Sequence, residues 1–345
     1  MNPEFLNQVA MLWERFFPGF RAPFVAGLLS CIVVLIVTPW VQKLAFKYGA
    51  VDDPTRDERR VHKVITPRWG GLAITAGILV SILAILPFAY PLDPFPPYLV
   101  GLIIASLLLM VIGAWDDKVQ LSAKFQMAYL IAIGIGIQFL YNGIGRVQIQ
   151  GFSMPDFAEN SQIWVPLGIW AIPLTAFYIF VVTKTMDTID GIDGLAAGIS
   201  AIAATTLAVI AVAEEQPRVA IVAMAIAGAS IGFLRYNWHP ARIFMAGGAQ
   251  VIGFLLASLS VVGAIKTAAL TAVIIPLVFG IPIIDAIYVM TRRILSKQPL
   301  TKPDKRHLHH TLLGQGFTQK QAVWILYLAA ITLSGLVLFL VRKYG

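Results

Sequence analysis

The 345-residue sequence has few charged residues and almost no cysteine. Only 13% of its residues are charged and 58% are hydrophobic, whereas soluble domains have about 25% charged and about 45–50% apolar residues. A soluble chain could not bury so much apolar side chain, so the composition excludes an ordinary soluble enzyme. The one cysteine, Cys31, lies in an apolar run, which excludes an intrachain disulfide and argues against thiol chemistry.

Long apolar runs recur along the chain, and a bilayer span needs about 20 mostly apolar residues. Ten stretches approach this length, at 24–46, 69–89, 97–114, 125–141, 163–182, 192–213, 219–234, 251–265, 268–290 and 322–341. We therefore predict an all-α polytopic membrane protein with about ten transmembrane helices. Residues 1–23 predict an interfacial segment lying on the membrane, and residues 24–345 a single transmembrane domain.

Most of the 26 Lys and Arg residues lie in the loops after the odd-numbered spans. The positive-inside rule makes these loops cytoplasmic and both termini external, as expected in a cell (inner) membrane. Most acidic residues and all five histidines lie on the same side. A transporter would place ionisable groups near mid-membrane, so this distribution disfavours transport. The net charge of +8 is mainly a topology signal, and we expect no nucleic-acid partner.

The external stretch 142–162 predicts a small β-hairpin, because residues 147–149 alternate and turn-forming residues follow.

Two acidic motifs lie at cytoplasmic ends of spans. Asp116 and Asp117 are adjacent, so their carboxylates must be hydrated, paired or metal-bound; the alternative is an acidic turn that closes the span. The second motif has three aspartates spaced by three (Asp187, Asp190 and Asp193), with Lys184 one turn before the first. Its Asp-Gly pairs break a helix and let backbone N–H groups approach an anion, although a structural loop is the alternative.

Two basic motifs lie in other cytoplasmic loops. Residues 303–310 end in His307-Leu308-His309-His310, preceded by Arg306. The histidines could bind zinc or hold a diphosphate; basic neighbours repel a cation and favour phosphate, while a solvated basic loop is the alternative. The loop 56–68 would attract anionic headgroups, unless it only reflects the positive-inside rule.

These four motifs, in this order, resemble those of the polyprenyl-phosphate N-acetylhexosamine-1-phosphate transferases (the MraY/WecA superfamily). Asp116-Asp117 is similar to the family's paired aspartates, and residues 190–198 to its D-G-x-D-G-L-A-A-G run. The H-x-H-H motif followed by Leu312–Phe317 resembles the WecA/TagO-type branch, which uses UDP-GlcNAc and undecaprenyl phosphate, more than the branch using UDP-MurNAc-pentapeptide. Pro282–Asp285 followed by Arg292-Arg293 also fits.

The resemblance implies that undecaprenyl phosphate attacks the β-phosphate of a UDP-N-acetylhexosamine, releasing UMP and leaving a lipid diphosphate sugar for cell-envelope polysaccharide synthesis. It also implies Mg²⁺, contact with membrane lipid and a homodimer. The implied catalytic residues are Asp116, Asp117, Asp190 and Asp193. The implied metal ligands are Asp117 and Asp187. The implied substrate-binding residues are Arg68, Lys124, Lys184, Arg306, His307, His309 and His310.

Three positions depart from the family pattern. The family's N-x-x-N positions are Lys184 and Asp187, and its F-M-G-D-x-G-S run reads F-M-A-G-G-A-Q, which places Gly247 at the metal-binding aspartate. In one interpretation Asp187 replaces the missing carboxylate. In another the Lys184 ammonium lies where the metal would bind, and either neutralises the diphosphate without metal or holds an inactive site together. A non-catalytic or metal-independent protein that binds lipid phosphate or nucleotide is therefore the alternative to an active transferase.

Overall fold

The computed structural model describes residues 19–54, 64–142, 145–156, 161–262, 277–296 and 307–344, which form a helical bundle with two small β-hairpins. The helices are α1 (Arg21–Tyr48), α2 (Gly70–Ala89), α3 (Pro97–Val119), α4 (Ala123–Gly136), α5 (Ala171–Ile189), α6 (Leu195–Ala213), α7 (Pro217–Asn237), α8 (Gly247–Val262), α9 (Gly280–Leu295), α10 (Leu308–Gly314) and α11 (Gln319–Tyr344). Short 3₁₀ turns cover Ile137–Phe139 and Gly168–Trp170.

Both hairpins are antiparallel. Strands β1 (Val51–Asp52) and β2 (Thr66–Pro67) pair Val51 with Pro67. Strands β3 (Gly151–Asp156) and β4 (Ser161–Pro166) pair Gly151 with Pro166.

The all-α membrane prediction is confirmed. Within the described ranges, seven helices are long and apolar enough to cross a bilayer, and α4 and α8 are shorter apolar helices. Each of the ten predicted spans overlaps one of the described helices. The orientation of the termini stays a prediction.

Helix α1 shows why the bundle needs lipid around it. Phe24, Leu28, Ile32, Ile36 and Trp40 recur every four residues and are all at least 44% exposed. Residues at this spacing share one helix face. Such an apolar stripe along 28 residues is stable only against hydrocarbon or another apolar surface.

Helix α8 is the central element of the bundle. It packs against α3, α5, α2, α6 and α7, and its residues from Gly247 to Val261 are all buried. A helix that is apolar on every side belongs in such a position. Small residues let neighbouring backbones approach: Gly71 lies against Gly248, and Gly27 against Gly228. The first residue of α8 therefore lies where several helices meet.

Several sequence-based boundaries are wrong. The fifth span begins at Ala171 instead of residue 163, because 161–166 pair as β4. The external hairpin exists, but residues 147–149 precede its strands. Helix α1 begins at Arg21, inside the predicted interfacial segment; residues 1–18 lie outside the described ranges. Residues 263–276 also lie outside the described ranges, and they include most of the first half of the ninth predicted span.

Candidate active site

The acidic motifs lie at the ends of two helices that both pack against α8. Asp116 and Asp117 are in the last turn of α3, and Lys184 and Asp187 are in the last two turns of α5. Helix α5 ends at Ile189 because Asp-Gly pairs follow it. Gly194, the residue immediately before α6, has a φ of +81°, which favours glycine. Two sequence motifs about 70 residues apart thus meet at one end of the bundle.

A chain of hydrogen bonds joins Asp116 to Asp187. Gln126, near the start of α4, donates from Nε2 to Asp116 Oδ2 (2.9 Å) and accepts at Oε1 from Lys184 Nζ (2.7 Å). Lys184 Nζ also lies 2.5 Å from Asp187 Oδ2. Asp116 Oδ1 accepts from the backbone N–H of Leu121 at 2.6 Å. Both oxygens of Asp116 therefore have protein partners, and the Lys184 ammonium is held between two acceptors.

Arg68 reaches the second of the paired aspartates. Its guanidinium lies 3.3 Å from Asp117 Oδ1, and the Asp117 side chain is only 4% exposed. The segment is fixed because the Arg68 N–H donates to Ala50 O and the Trp69 indole N–H donates to Ala114 O. Asp117 Oδ2 is buried with no hydrogen-bond partner among the described residues. One acceptor of this carboxylate thus remains unused inside the site.

Asp190 and Asp193 both hold the connection between α7 and α8. Asp190 Oδ2 accepts from the Ala246 N–H at 3.0 Å. Asp193 Oδ2 accepts from the Ala241 N–H at 3.0 Å and lies 2.7 Å from His239 Nδ1. Desolvation by the surrounding protein raises the pKa of Asp190 to about 7, against the opposing effect of the Ala246 N–H. These contacts give both aspartates a positioning role beside the predicted catalytic one, which stays a prediction.

His307 is anchored by a buried acid. Its Nδ1 lies 2.7 Å from Asp285 Oδ2, while Asp285 Oδ1 accepts from the Leu308 N–H at 2.6 Å. Asp285 is only 2% exposed, so it positions the histidine motif from a buried site on α9.

His309 connects the histidine motif to the D-G-x-D-G loop. It is 2% exposed, and a Cβ atom on Gly191 would lie only 2.5 Å from its Nε2, so glycine permits this contact. Burial, with His310 beside it, lowers the pKa of His309 to about 3. A neutral imidazole cannot supply charge to a diphosphate at neutral pH. His310 is half-buried, with its ring centroid 4.4 Å from that of His309.

Gly247, where the family resemblance places a metal-binding aspartate, is tightly packed. A Cβ atom there would lie 2.8 Å from Gly113 Cα and 2.9 Å from its carbonyl carbon. Contacts under 3.0 Å to backbone atoms require the two helices to move apart. The glycine is therefore required by the packing of α8 on α3, and the structure has no space ready for a carboxylate at this position.

The carboxylates of the site do not fit a divalent cation. Within the described ranges, no group of three or more His, Cys, Asp or Glu residues could hold a metal ion. Asp187 already has an ammonium at 2.5 Å, and both oxygens of Asp116 accept protein donors. Among these three acids, Asp117 Oδ2 and Asp187 Oδ1 accept from no donor among the described residues, but Arg68 lies beside the first carboxylate and Lys184 beside the second. Mg²⁺ needs near-octahedral oxygen coordination, so the ion implied by the resemblance stays a prediction that these residues do not support.

The structure brings most of the predicted residues together in two groups. Hydrogen bonds and ion pairs join Arg68 with Asp117, and Asp116 with Lys184 and Asp187 through Gln126. The histidines lie beside Gly191 of the D-G-x-D-G loop. Lys124 is exposed in the first turn of α4, and Arg306 lies outside the described residues. Their roles, like those of the other predicted site residues, remain predictions.

Sequence reasoning missed Gln126 and Asn237. Gln126 carries the contact between Asp116 and Lys184. Asn237 accepts from the Gly194 N–H and donates to Ile243 O, which joins the loop before α6 to the one before α8. The only available signal was position: each is an uncharged polar residue at a span end facing a charged motif.

Known proteins are similar to most of this chain. Residues 99–264 match the family described as "Glycosyl transferase family 4". The chain is 37% identical over 312 residues to the "Probable undecaprenyl-phosphate N-acetylglucosaminyl 1-phosphate transferase" of Bacillus subtilis, covering 90% of this chain and 82% of that protein. It is 30% identical over 329 residues to the "Decaprenyl-phosphate N-acetylglucosaminephosphotransferase" of Mycolicibacterium smegmatis (88% and 78%). It is 26% identical over 303 residues to the "Undecaprenyl-phosphate alpha-N-acetylglucosaminyl 1-phosphate transferase" of Escherichia coli (86% and 78%).

Proposed function

Because the chain belongs to glycosyl transferase family 4, we propose that it transfers N-acetylglucosamine 1-phosphate from UDP-GlcNAc to undecaprenyl phosphate. UMP leaves, and the product is a lipid diphosphate sugar that feeds cell-envelope polysaccharide synthesis. The names of the three relatives support a polyprenyl-phosphate acceptor (undecaprenyl in two, decaprenyl in the third) and an N-acetylglucosamine phosphate as the transferred group. The multi-pass membrane fold supports a lipid-borne substrate.

One observation carries the proposal: two cations and three acids from the ends of α3 and α5 and from the segment before α2 converge at one end of the bundle. Arg68 pairs with Asp117, and Lys184 pairs with Asp187 in a hydrogen-bonded chain that ends at Asp116. The Arg68 and Lys184 side chains are 27% and 35% exposed. Such half-exposed cations are suited to binding phosphate oxygens.

The reaction does not need a strong general base to deprotonate the acceptor. A phosphate monoester has a second pKa of about 6, so the acceptor is largely a dianion at neutral pH. An acceptor oxygen forms a bond to the β-phosphorus of the donor, and the bond from that phosphorus to the oxygen bridging the α-phosphorus breaks. The electron pair leaves with UMP. The protein must therefore position both phosphates and stabilise spreading negative charge.

The two ends of the donor fit different parts of the site. Arg68 and Lys184 would bind the diphosphate, with the unpartnered Asp117 Oδ2 beside it. His307, anchored by Asp285, would hydrogen-bond the donor through Nε2, because Nδ1 is engaged. Lys124, exposed in the first turn of α4, would attract the anionic substrates, and the family resemblance implies the same role for Arg306.

The distribution of Lys and Arg supports placing this end of the bundle at the cytoplasmic face of the cell (inner) membrane. Lipid would surround the exposed apolar face of α1, and the acceptor headgroup would enter from the bilayer. A homodimer remains an expectation from the family resemblance.

The test uses the purified full-length protein, undecaprenyl phosphate in detergent micelles, and UDP-GlcNAc radiolabelled in its β-phosphate. The label should move into the lipid fraction while unlabelled UMP is released, only when the acceptor is present. Asp117→Asn should abolish transfer, whereas Asp93→Asn, which changes an aspartate paired with Arg218 outside the site, should not. Release of labelled UDP would indicate a different glycosyl transfer. Absence of any reaction with a panel of UDP-hexosamines would overturn the proposal.

A further inference from the structure

The three positions at which this chain departs from the family pattern are linked: Asp187 and Gly247 both interact with Asp117, and Lys184 pairs with Asp187. Lys184 and Asp187 are in the last turns of α5, which packs along α8, and α8 begins at Gly247. Asp117 interacts electrostatically with both Asp187 and the Gly247 backbone. The departures are therefore neighbouring changes in one site and need a common explanation.

We propose that the Lys184 ammonium replaces the divalent cation of this site, so that Lys184 and Arg68 together neutralise the donor diphosphate and transfer proceeds without metal. The inference depends on the proposed function for the identity of the substrate, but its claim about the cation concerns this chain's own residues.

The hydrogen bonds of Lys184 leave one donor for a ligand. An ammonium has three N–H groups; two are directed to Asp187 Oδ2 and Gln126 Oε1, and no third partner is present among the described residues. The side chain is 35% exposed, so the third N–H can reach a phosphate oxygen.

Neighbouring groups fix the position of this ammonium. Gln126 receives Lys184 at Oε1, and its Nε2 donates to Asp116 Oδ2 at 2.9 Å and lies 3.4 Å from Leu121 O. Asp187 binds the ammonium from its own helix, three residues on. A charge fixed before the substrate arrives stabilises developing negative charge without reorganisation. Asp116 thus acts on the reaction through Gln126 and Lys184, as a positioning residue.

The same arrangement disfavours a metal ion. A divalent cation bound to Asp187 or Asp117 would lie near the Lys184 ammonium or the Arg68 guanidinium and be repelled by it. Gly247 offers no side chain, and its contact with Gly113 leaves no space for one. Compared with the family pattern, this chain thus has no carboxylate at position 247 on α8 and has an additional cation, Lys184, on α5.

In the transfer step, the Lys184 ammonium would donate a hydrogen bond to the oxygen that bridges the two phosphorus atoms. Negative charge collects on this oxygen as its bond to the β-phosphorus breaks and UMP leaves. No proton transfer is required, because the ammonium stabilises charge while it keeps its own protons. A hydrogen bond from a charged donor such as this ammonium is stronger than a hydrogen bond from a neutral donor.

The first experiment measures UMP release from UDP-GlcNAc and undecaprenyl phosphate by the full-length protein, in EDTA and in Mg²⁺. Turnover should agree within about twofold in the two buffers, and Lys184→Asn should lower it by about 10²-fold or more in EDTA. The matched variant Lys43→Asn, at an exposed lysine of α1, should retain full turnover. Loss of wild-type turnover in EDTA, or normal turnover of Lys184→Asn in EDTA, would overturn the inference.

A second readout does not depend on turnover. Mn²⁺ binding to the wild type is followed by electron paramagnetic resonance, and UDP-GlcNAc affinity is measured by calorimetry in EDTA. The wild type should bind no Mn²⁺ in this site, and Lys184→Asn should weaken UDP-GlcNAc binding relative to Lys43→Asn. Mn²⁺ that the wild type binds and Asp187→Asn releases would overturn the inference. If no UDP-hexosamine reacts, the proposed function fails, while these two measurements still decide the role of Lys184.

Discussion

The imidazole of His307 is oriented by the carboxylate of Asp285, 22 residues earlier in the chain. Nδ1 and Oδ2 are 2.7 Å apart, and the other carboxylate oxygen accepts the Leu308 N–H. A carboxylate can only accept, so Nδ1 carries the proton and Nε2 is the nitrogen available to a ligand. The start of α10 and the tautomer of His307 are thus set by one buried acid on α9.

Asp285→Asn should lower UMP release by about 10–100-fold, as expected when a histidine loses the acid that orients it. His307→Gln should cause a similar loss. The double variant should lose no more than either single variant, since both changes disable one unit. Additive losses would show that Asp285 and His307 act separately, and Asp93→Asn is the matched control.

Gly247→Ala should destabilise the protein by about 1–3 kcal/mol, because its new Cβ overlaps the Gly113 backbone. Thermal unfolding of the detergent-purified protein measures the effect. Gly335→Ala in α11 is the matched control: nothing lies within 4 Å of its Cβ position, so it should be neutral or stabilising by up to about 1 kcal/mol. Gly247→Asp should be at least as destabilising as Gly247→Ala. An unchanged unfolding temperature for Gly247→Ala would contradict the packing described for α3 and α8.

Asp193→Ala should loosen the connection between α7 and α8, because the Asp193 carboxylate accepts a hydrogen bond from the Ala241 N–H and contacts the His239 ring. Hydrogen–deuterium exchange should accelerate in peptides covering residues 239–246 and stay unchanged in α1. Unaltered exchange in 239–246 would refute the positioning role. Turnover should fall with the loss of order, since Ala246 leads directly into α8.

Stability should depend on pH through Asp190. Its pKa is about 7 in the folded protein and about 3.9 in the unfolded chain. Between these two pH values the Asp190 carboxyl is therefore protonated in the folded state and ionised in the unfolded state. This stabilisation is fully present below about pH 4 and is lost as pH rises through about 7. Asp190→Asn should therefore reduce the drop in unfolding temperature between about pH 5 and about pH 8. An equal drop in variant and wild type would refute this effect.

Apolar run lengths were sufficient to predict the bundle, because a bilayer imposes a minimum length on each helix. The fifth span was misjudged at Ile163 because β4 is as apolar as a helix end, and hydropathy cannot separate the two. The site motifs could also be recognised from the sequence. Paired acids such as Asp116 and Asp117 are rare at a membrane boundary, because each carboxylate there needs water, a cationic partner or a metal ion.

Contacts that depend on packing could not be read from sequence. Only its position at a span end marks Gln126 as a candidate for the contact between Asp116 and Lys184, because amides carry no distinctive spacing. The burial of Asp285 was also hidden, since an acid near a span end is usually exposed. Helical spacing places Lys184 and Asp187 on one face, and their 2.5 Å contact favours the interpretation in which the Lys184 ammonium lies where the metal would bind.

The contact between Gly113 and Gly247 also limits how the start of α8 can be engineered. A Cβ atom on Gly247 would lie 2.8 Å from Gly113 Cα. Because residue 113 is already glycine, no side-chain substitution there can make room for an acid at position 247. A variant with a carboxylate at position 247 would therefore need a wider spacing between α3 and α8, which a change of backbone and not of side chain must supply.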